Sequence, residues 1–291
     1  MRPDQLAARR RNRGFTLTEL AIAFFIIGLL LASAFMPLSS QVEVRNIADT
    51  RRTMEQIKEA VIGFALANGR LPCPANPALA AGASTAGNEL YTSPSCTQLI
   101  GVVPWATLGV PETDAWGRRI TYRVGSVFSD ALPPTLSTWN TSSPGSQSGT
   151  LNCTSPSPTP TLSSFALCSL GEIAVMTKSE SNHATVTALG TGLAAVFVSH
   201  GKNGNGAYQS NGIALTTAAS GTDELANSTG TTQLTPSGGF LSFAFYSRNA
   251  TPSATTCDDA SGTAFCEFDD IVTMISPNTL VARMVSAGRL P

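Results

Sequence analysis

A long stretch without charged residues near the N-terminus, residues 20–38, limits what this chain can be. Its length is close to the ~20 apolar residues that a helix needs to cross a bilayer. Residues 1–14 hold one acid and five arginines: Arg2, Arg9, Arg10, Arg11 and Arg13. A basic cluster ahead of an apolar segment is typical of a cytoplasmic flank that sets membrane orientation. The sequence therefore predicts a basic leader over residues 1–14 and a membrane-spanning segment over residues 15–38.

Two kinds of leader fit this pattern. In an ordinary secretory signal peptide a small-residue cleavage site follows the apolar stretch, and Ala32-Ser33-Ala34 is such a site. The mature protein would then begin at Phe35, as a secreted binding or adhesion domain stapled by disulfides. The rival interpretation rests on Glu19, because a carboxylate at the edge of an apolar helix is costly in lipid and needs a partner. A cut after Gly14 would place the new amine of Phe15 one helical turn from Glu19, within reach of that carboxylate.

The segment Gly14-Phe15-Thr16-Leu17-Thr18-Glu19-Leu20 resembles the class III signal of type IV prepilins and type II secretion pseudopilins. In that family a membrane aspartyl peptidase cuts after the glycine and methylates the new N-terminal residue. The resemblance implies cleavage between Gly14 and Phe15, N-methylation of Phe15, and Glu19 as the carboxylate that aids filament assembly. It also implies the partners: the prepilin peptidase and methyltransferase, other pilin or pseudopilin subunits, and the bacterial inner membrane.

The N-terminal helix is expected to continue past the apolar stretch, with residues 39–69 as its amphipathic half. Apolar residues recur there at helical spacing, while charged residues occupy the other positions. The recurring residues are Ile47, Met54, Ile57, Val61 and Phe64. Asn68-Gly69 and the following Leu71-Pro72-Cys73-Pro74 predict the end of the helix.

Residues 70–291 predict a β-rich globular domain, on the periplasmic or extracellular side of the membrane. Short β-branched and aromatic runs, bounded by turn residues, are candidate strands at 120–124, 172–178, 193–199, 241–246 and 271–275. Together with the helix they indicate an α+β, pilin-like fold: a long N-terminal helix packed on an antiparallel sheet, with loop-rich insertions. Residues 133–164, rich in Ser, Thr and Pro, predict an exposed insertion. Ser276 and Pro277 predict the start of a short C-terminal helix that Gly288 ends.

All six cysteines follow the apolar stretch: Cys73, Cys96, Cys153, Cys168, Cys257 and Cys266. An even number beyond a membrane indicates up to three disulfides in an oxidising compartment. Six cysteines allow fifteen pairings, of which bonds between sequence neighbours are the simplest. A zinc site is disfavoured, because the chain has no C-x-x-C pair and only two histidines.

Acidic residues cluster late in the chain, at Asp223, Glu224, Asp258, Asp259, Asp269 and Asp270. Hard oxygen ligands of this kind bind Ca²⁺, although their spacing here follows no clear loop pattern and solvated loop acids are the simpler interpretation. The resemblance adds a precedent, because major pseudopilins have a C-terminal calcium loop. We therefore expect no cofactor unless it is a structural Ca²⁺, which would involve Asp269 or Asp270 first.

Enzymatic chemistry is not expected. Ser199 and Lys202 have the Ser-x-x-Lys spacing of some serine hydrolases, but they lie where an apolar strand enters a glycine-rich loop. Nucleic acid is not expected as a primary ligand, because no basic cluster follows the leader. The sequence thus favours a structural subunit of a type IV pilus or a type II secretion pseudopilus. The size of the mature part favours a minor pilin or a pseudopilin.

Overall fold

The computed structural model describes residues 16–93, 95–129, 163–165, 169–180, 182–215, 221–234, 242–261 and 264–290, with the side chains of residues 31–40 left aside. The chain divides into two units, Met1–Asn46 and Ile47–Pro291, and each is described by itself. The predicted insertion at 133–164 lies outside the described residues except for its last two positions.

Five helices and twelve strands are described. The helices are α1 (Leu17–Asn68), α2 (Trp105–Leu108), α3 (Ser126–Ser129), α4 (Thr222–Thr229) and α5 (Pro277–Ser286). The strands are β1 (Tyr91–Thr92), β2 (Ser95–Cys96), β3 (Ile100–Val102), β4 (Arg118–Arg119), β5 (Thr121–Val124), β6 (Ile173–Ser179), β7 (Asn182–Leu193), β8 (Ala195–Ser199), β9 (Tyr208–Gln209), β10 (Gln233–Leu234), β11 (Ser242–Tyr246) and β12 (Ile271–Ile275).

The long N-terminal helix is confirmed, and its last residue is the predicted Asn68. Gly69 follows with a φ of 72°, a left-handed conformation that glycine adopts without steric cost and that commonly ends a helix. Met54, Ile57 and Val61 are buried as the periodicity predicts. Phe64 is only partly buried, and the next residue, the small Ala65, takes its place in the core.

Two four-stranded sheets and two two-stranded sheets, β1-β2 and β4-β9, are described in the second unit. The first sheet has the strand order β12-β8-β5-β3 and is antiparallel throughout. The second sheet has the order β10-β11-β6-β7, and its β11–β6 pair is parallel. The prediction of an α+β fold is thus confirmed in outline, but the single antiparallel sheet that was expected is replaced by several sheets, one of which contains a parallel pair. Short connections join antiparallel strands, and these were the only connections expected from the sequence. Strands β6 and β11 are instead far apart in the chain, with β7 to β10 between them, and a long connection of this kind permits parallel pairing.

Three apolar cores stack in layers within this second unit. The largest joins the C-terminal part of α1 and helix α5 to one face of the first sheet, through residues such as Ile57, Phe197 and Met284. A second core lies between the two sheets, and the third lies between the second sheet and α4. Strand β8 shows the alternation directly, because Phe197 belongs to the first core while Val196 and Val198 belong to the second.

The predicted strands agree closely with the structure. Strand β12 has the predicted bounds, and β5, β6 and β11 each begin one residue later than expected. The C-terminal helix is confirmed as well: the Ser276 side chain accepts a hydrogen bond from the backbone N–H of Thr279, and Pro277 is the first helical residue. The start of this helix could be predicted from the sequence because it depends on hydrogen bonds between residues that are close in sequence.

Strand β7 is one of the two outer strands of the second sheet and is mostly exposed. Its pairing with β6 is irregular, with register shifts between Ile173 and Val175, between Val175 and Met176, and between Lys178 and Ser179. The irregularity makes β7 a bent edge rather than a flat one.

Candidate functional sites: the N-terminal segment and a carboxylate cluster

Glu19 and Thr16 form a reciprocal cap at the start of α1. The backbone N–H and the hydroxyl of Thr16 each donate to Oε2 of Glu19, both at 2.9 Å. In return, the backbone N–H of Glu19 donates to Oγ1 of Thr16 at 3.3 Å. This Thr-x-x-Glu arrangement is a capping box, which satisfies N–H groups that a helix start otherwise leaves without a partner. The sequence pattern for it was present in Thr16-Leu17-Thr18-Glu19, although only a partner amine was considered for Glu19.

The side chains of residues 16–30 are all exposed. They include large apolar groups such as Leu17 and Phe25, which are 87% and 71% exposed. An apolar surface of this extent normally marks a site of contact with a protein or a membrane. Gly14 and Phe15, the predicted cleavage point, lie outside the described residues.

Within the part of the chain that the structure describes, no helix is both long and apolar enough to cross a membrane. The membrane-spanning segment over residues 15–38 stays a prediction.

Three carboxylates from distant parts of the chain meet in the second unit: Glu224 of α4, and Asp269 and Asp270, which precede β12. Each offers an oxygen that lies within 4.8 Å of the oxygens of the other two. Glu224 and Asp270 are buried and Asp269 is partly buried. The structure therefore brings the two aspartates expected for Ca²⁺ together with Glu224. Of the other late acids, Asp223 and Asp259 lie in a different cluster around Arg248, and Asp258 accepts a hydrogen bond from the backbone N–H of Ala260.

A glycine-rich loop after β8 holds this cluster in place. The side-chain amides of Asn203 and Asn205 donate to Oε1 and Oε2 of Glu224, both at 2.8 Å. The backbone N–H of Asn203 also donates to Oδ2 of Asp269 at 2.8 Å. Gly201 permits the close approach, because a Cβ atom there would lie 2.4 Å from the backbone oxygen of Asp269. The loop was predicted from its glycines, but its two asparagines were missed as carboxylate partners.

Several oxygens at this cluster are buried without a hydrogen-bond partner among the described residues. They are Oδ1 of Asn205, Oδ1 of Asp269 and Oδ1 of Asp270. Nδ1 of His200, which also has no hydrogen-bond partner among the described residues, lies 3.6 Å from Oδ1 of Asp270. Buried oxygens of this kind are costly unless a donor or a cation satisfies them. The donors are all hard oxygens, so the cluster fits a Ca²⁺ ion better than a softer metal.

The electrostatics of the cluster point the same way. Burial, followed by the repulsion of Asp270, raises the pKa of Glu224 to about 7. Burial also raises the pKa of Asp269 to about 6, and the backbone N–H of Asn203 only partly offsets this. The raised pKa values mean that it is unfavourable for all of these carboxyl groups to be ionised at once. A bound cation would stabilise the ionised forms and lower the pKa values.

The Ser-x-x-Lys pair has no geometry for nucleophilic catalysis. The hydroxyl of Ser199 donates to Oδ2 of Asp114 at 2.6 Å, so it is held by a carboxylate and not by Lys202. The other oxygen of that carboxylate accepts from the backbone N–H groups of Trp116 and Arg118. Ser199 therefore anchors the turn before β4 to the end of β8.

Disulfides join cysteines that are neighbours in sequence. Cys73 is bonded to Cys96, and Cys257 is bonded to Cys266, with Cα–Cα distances of 5.4 Å and 4.8 Å. Cys153 and Cys168 lie outside the described residues. The first bridge ties the segment after α1 to strand β2, and the second closes a short loop that contains Asp259.

Residues 9–35 match the model of the prokaryotic N-terminal methylation motif, the class III signal of type IV pilins and pseudopilins. Searches of the curated proteins and of the solved structures returned no significant match. The motif covers the predicted cleavage point, Glu19 and most of the exposed apolar helix.

Proposed function

We propose, from the class III signal at residues 9–35, that this chain is the precursor of a structural subunit in a type IV pilus or a type II secretion pseudopilus. The leader is removed between Gly14 and Phe15 by the prepilin peptidase, and Phe15 is N-methylated by the same family of enzymes. The protein crosses the bacterial inner membrane once through residues 15–38, with its globular part in the periplasm. It then joins other subunits in the filament, as a minor pilin or a pseudopilin.

The single observation that carries this proposal is the motif itself. The exposed apolar side chains of residues 16–30 support it, because a filament core and a lipid bilayer are both environments that would cover them. The α+β second unit agrees with a pilin-like domain, in which the C-terminal part of α1 packs on a sheet.

Mass spectrometry of the mature N-terminus tests the processing step. The protein is purified from membranes of a host that has the prepilin peptidase, and its N-terminal peptide is sequenced. We expect a start at N-methylated Phe15. A start at Phe35 in a soluble protein would overturn the proposal and leave the alternative, a secreted binding or adhesion domain.

Glu19 has two roles to separate, the helix cap and the assembly carboxylate. Glu19→Gln keeps a side-chain oxygen for the cap but removes the charge, whereas Thr16→Ala removes half of the cap and keeps the charge. We expect Glu19→Gln to be processed but absent from sheared filaments or from crosslinked pseudopili. Thr16→Ala is expected to assemble, with the start of the helix weakened by about 1 kcal/mol. Assembly defects of equal size in both variants would assign Glu19 to the cap alone.

A structural Ca²⁺ site at Glu224, Asp269 and Asp270 is a second proposal, supported by the buried unpartnered oxygens around these carboxylates. Isothermal titration calorimetry with Ca²⁺ tests it on the metal-free protein. Asp270→Asn is expected to weaken binding at least tenfold, and Asp258→Asn, an acid outside the cluster, is the matched control. Equal binding by both variants would contradict the site.

A further inference from the structure

Lys178 and Asp223 form the closest ion pair among the described residues of the second unit. Lys178 lies near the end of β6 and Asp223 in the first turn of α4. Nζ of Lys178 is 2.5 Å from Oδ1 of Asp223, and the two side chains are only 6% and 0% exposed. A lysine amine and a carboxyl group are thus held against each other in a site with almost no access to water.

The neighbours of this pair fix both reacting groups. The backbone oxygen of Asp259 accepts from Nζ of Lys178 at 2.8 Å, and Oδ2 of Asp259 accepts from the backbone N–H of Asp223 at 3.2 Å. Arg248 donates through Nε to Oδ2 of Asp223 at 3.0 Å and also binds Oδ1 of Asp259. The ring of Tyr246 lies 4.9 Å from Nζ and closes the apolar side of the site.

We propose that Lys178 and Asp223 condense into an intramolecular isopeptide bond. The ammonium group of Lys178 first passes one proton to Oδ1 of Asp223, which gives a neutral amine and a neutral acid. The amine nitrogen then attacks Cγ of Asp223, and Arg248 stabilises the negative charge that develops on Oδ2. A second proton moves from Nζ to Oδ1, the Cγ–Oδ1 bond breaks, and one water molecule leaves. The third proton remains on the amide nitrogen, and no oxidant or reductant is required.

The charge composition of the site favours this product. Before the reaction the cluster holds two cations, Lys178 and Arg248, and two anions, Asp223 and Asp259. Condensation removes one cation and one anion, so Arg248 and Asp259 remain as a balanced pair. Buried ions carry a large desolvation cost, which the neutral amide avoids. Burial also raises the pKa of Asp223, which eases formation of the neutral acid that the reaction needs.

The short distance between the amine of Lys178 and the carboxyl group of Asp223 also favours the reaction. Groups that are held in contact and shielded from solvent react as if at very high concentration, up to ~10⁵–10⁸ M in well-oriented intramolecular reactions. Asp259 acts as a positioning residue, because it contacts the amine through its backbone oxygen and Arg248 through its carboxylate. The bond would link β6 covalently to α4 across 45 residues of sequence. This inference stands on the cluster alone and does not depend on filament assembly.

Tryptic peptide mapping of the reduced full-length protein tests the bond. Without the bond, trypsin releases residues 124–178, 179–202 and 203–248 as separate peptides. With the bond, cleavage after Lys178 is blocked, and residues 124–202 stay joined to residues 203–248. The joined species is lighter than the sum of its two chains by the mass of one water molecule. We expect this species to account for most of the signal from the region.

Two variants assign the bond to this pair. Lys178→Arg keeps the positive charge but cannot form the same amide, so its peptides are expected to separate. Lys202→Arg changes an exposed loop lysine and should leave the linkage intact. The wild-type result is decisive even if Lys178→Arg folds poorly. Separate peptides of unmodified mass, or a loss of water located at other residues, would overturn the proposal.

Discussion

Asp223 and Glu224 are neighbours on α4, yet they enter clusters of opposite composition. Asp223 meets two cations, Lys178 and Arg248, each at a distance of 3.0 Å or less. Glu224 meets two further carboxylates, Asp269 and Asp270, and no cationic side chain among the described ion pairs. The first cluster balances its charges within the chain. The second relies on amide donors from Asn203, Asn205 and Asn227, with Nδ1 of His200 3.6 Å from Oδ1 of Asp270, and no lysine or arginine pairs with it among the described residues.

The comparison teaches that burial alone does not decide what a carboxylate does. Both residues have fully buried side chains. The difference lies in the element that faces each one: a sheet strand with lysine and a segment with arginine face Asp223, whereas a glycine- and asparagine-rich loop faces Glu224. A cluster balanced within the chain should be insensitive to divalent ions, and an unbalanced one should respond to them.

Removing the arginine from the balanced cluster should have the largest effect. Arg248→Met leaves Asp259 buried without its ion-pair partner. We expect the free energy of unfolding to fall by about 3–5 kcal/mol, because an uncompensated buried charge remains. Equilibrium unfolding in urea measures the loss. A loss below about 1 kcal/mol would mean that the cluster adjusts its protonation at little cost.

Calcium should act only on the unbalanced cluster. At a free Ca²⁺ concentration of about 100 times the Kd, we expect the wild-type free energy of unfolding to rise by about 2.7 kcal/mol. Asp270→Asn should lose this gain while remaining as stable as the wild type without Ca²⁺, because the substitution removes a repulsion. Thermal unfolding with Ca²⁺ and with a chelator compares the two proteins. An equal rise in Tm for both would place the ion elsewhere.

The pH dependence of the free energy of unfolding should also distinguish the two clusters, by a smaller effect than the addition of Ca²⁺. The pKa of Glu224 is raised to about 7 and that of Asp269 to about 6, so the folded state binds more protons than the unfolded state over roughly pH 4–7. In the absence of Ca²⁺, these groups should make the free energy of unfolding rise as the pH falls from about 8 to about 5.

The slope of that rise is measured by urea unfolding at a series of pH values. Glu224→Gln should reduce it, because the amide does not titrate and only Asp269 still contributes, and saturating Ca²⁺ should reduce or reverse it by favouring the ionised form. Slopes that are identical in the variant and the wild type would assign the pH dependence to other groups.

The smallest effect is expected at an exposed ion pair that serves as a reference. Arg283 of α5 lies 3.3 Å from Glu59 of α1, and both side chains are more than half exposed. Solvent screens such pairs, so Arg283→Met should change the free energy of unfolding by about 0–1 kcal/mol. The same urea assay measures it beside Arg248→Met. If Arg283→Met destabilised the protein as much as Arg248→Met, the effect of Arg248→Met could not be assigned to the burial of its ion pairs.

Much of the fold could be predicted because its signals are local. The periodicity from Met54 to Val61, the β-branched run of β12 and the cap at Ser276 each report on neighbours within a few residues. The parallel β11–β6 pair could not be predicted, because the pairing of strands so far apart depends on packing between layers. The burial of Ala65 in place of Phe64 likewise depends on which helix face the first sheet covers.

The sites divide in the same way. The processing motif and Glu19 lie in one continuous segment, so the sequence alone indicated them. Asp269 and Asp270 were singled out as adjacent acids, but their partner Glu224 is 45 residues earlier and only the fold brings it to them. Lys178 was never considered, because nothing beside it in sequence distinguishes it from a surface lysine.

The bent edge of the second sheet has a consequence for a protein kept at high local concentration. A flat outer strand exposes a row of backbone N–H and C=O groups on which another chain can add a strand, and such addition leads to aggregation. The register shifts between β6 and β7, together with Gly190 and Gly192 near the end of β7, interrupt that row. This edge of the second sheet is therefore a poor template for strand addition by another chain.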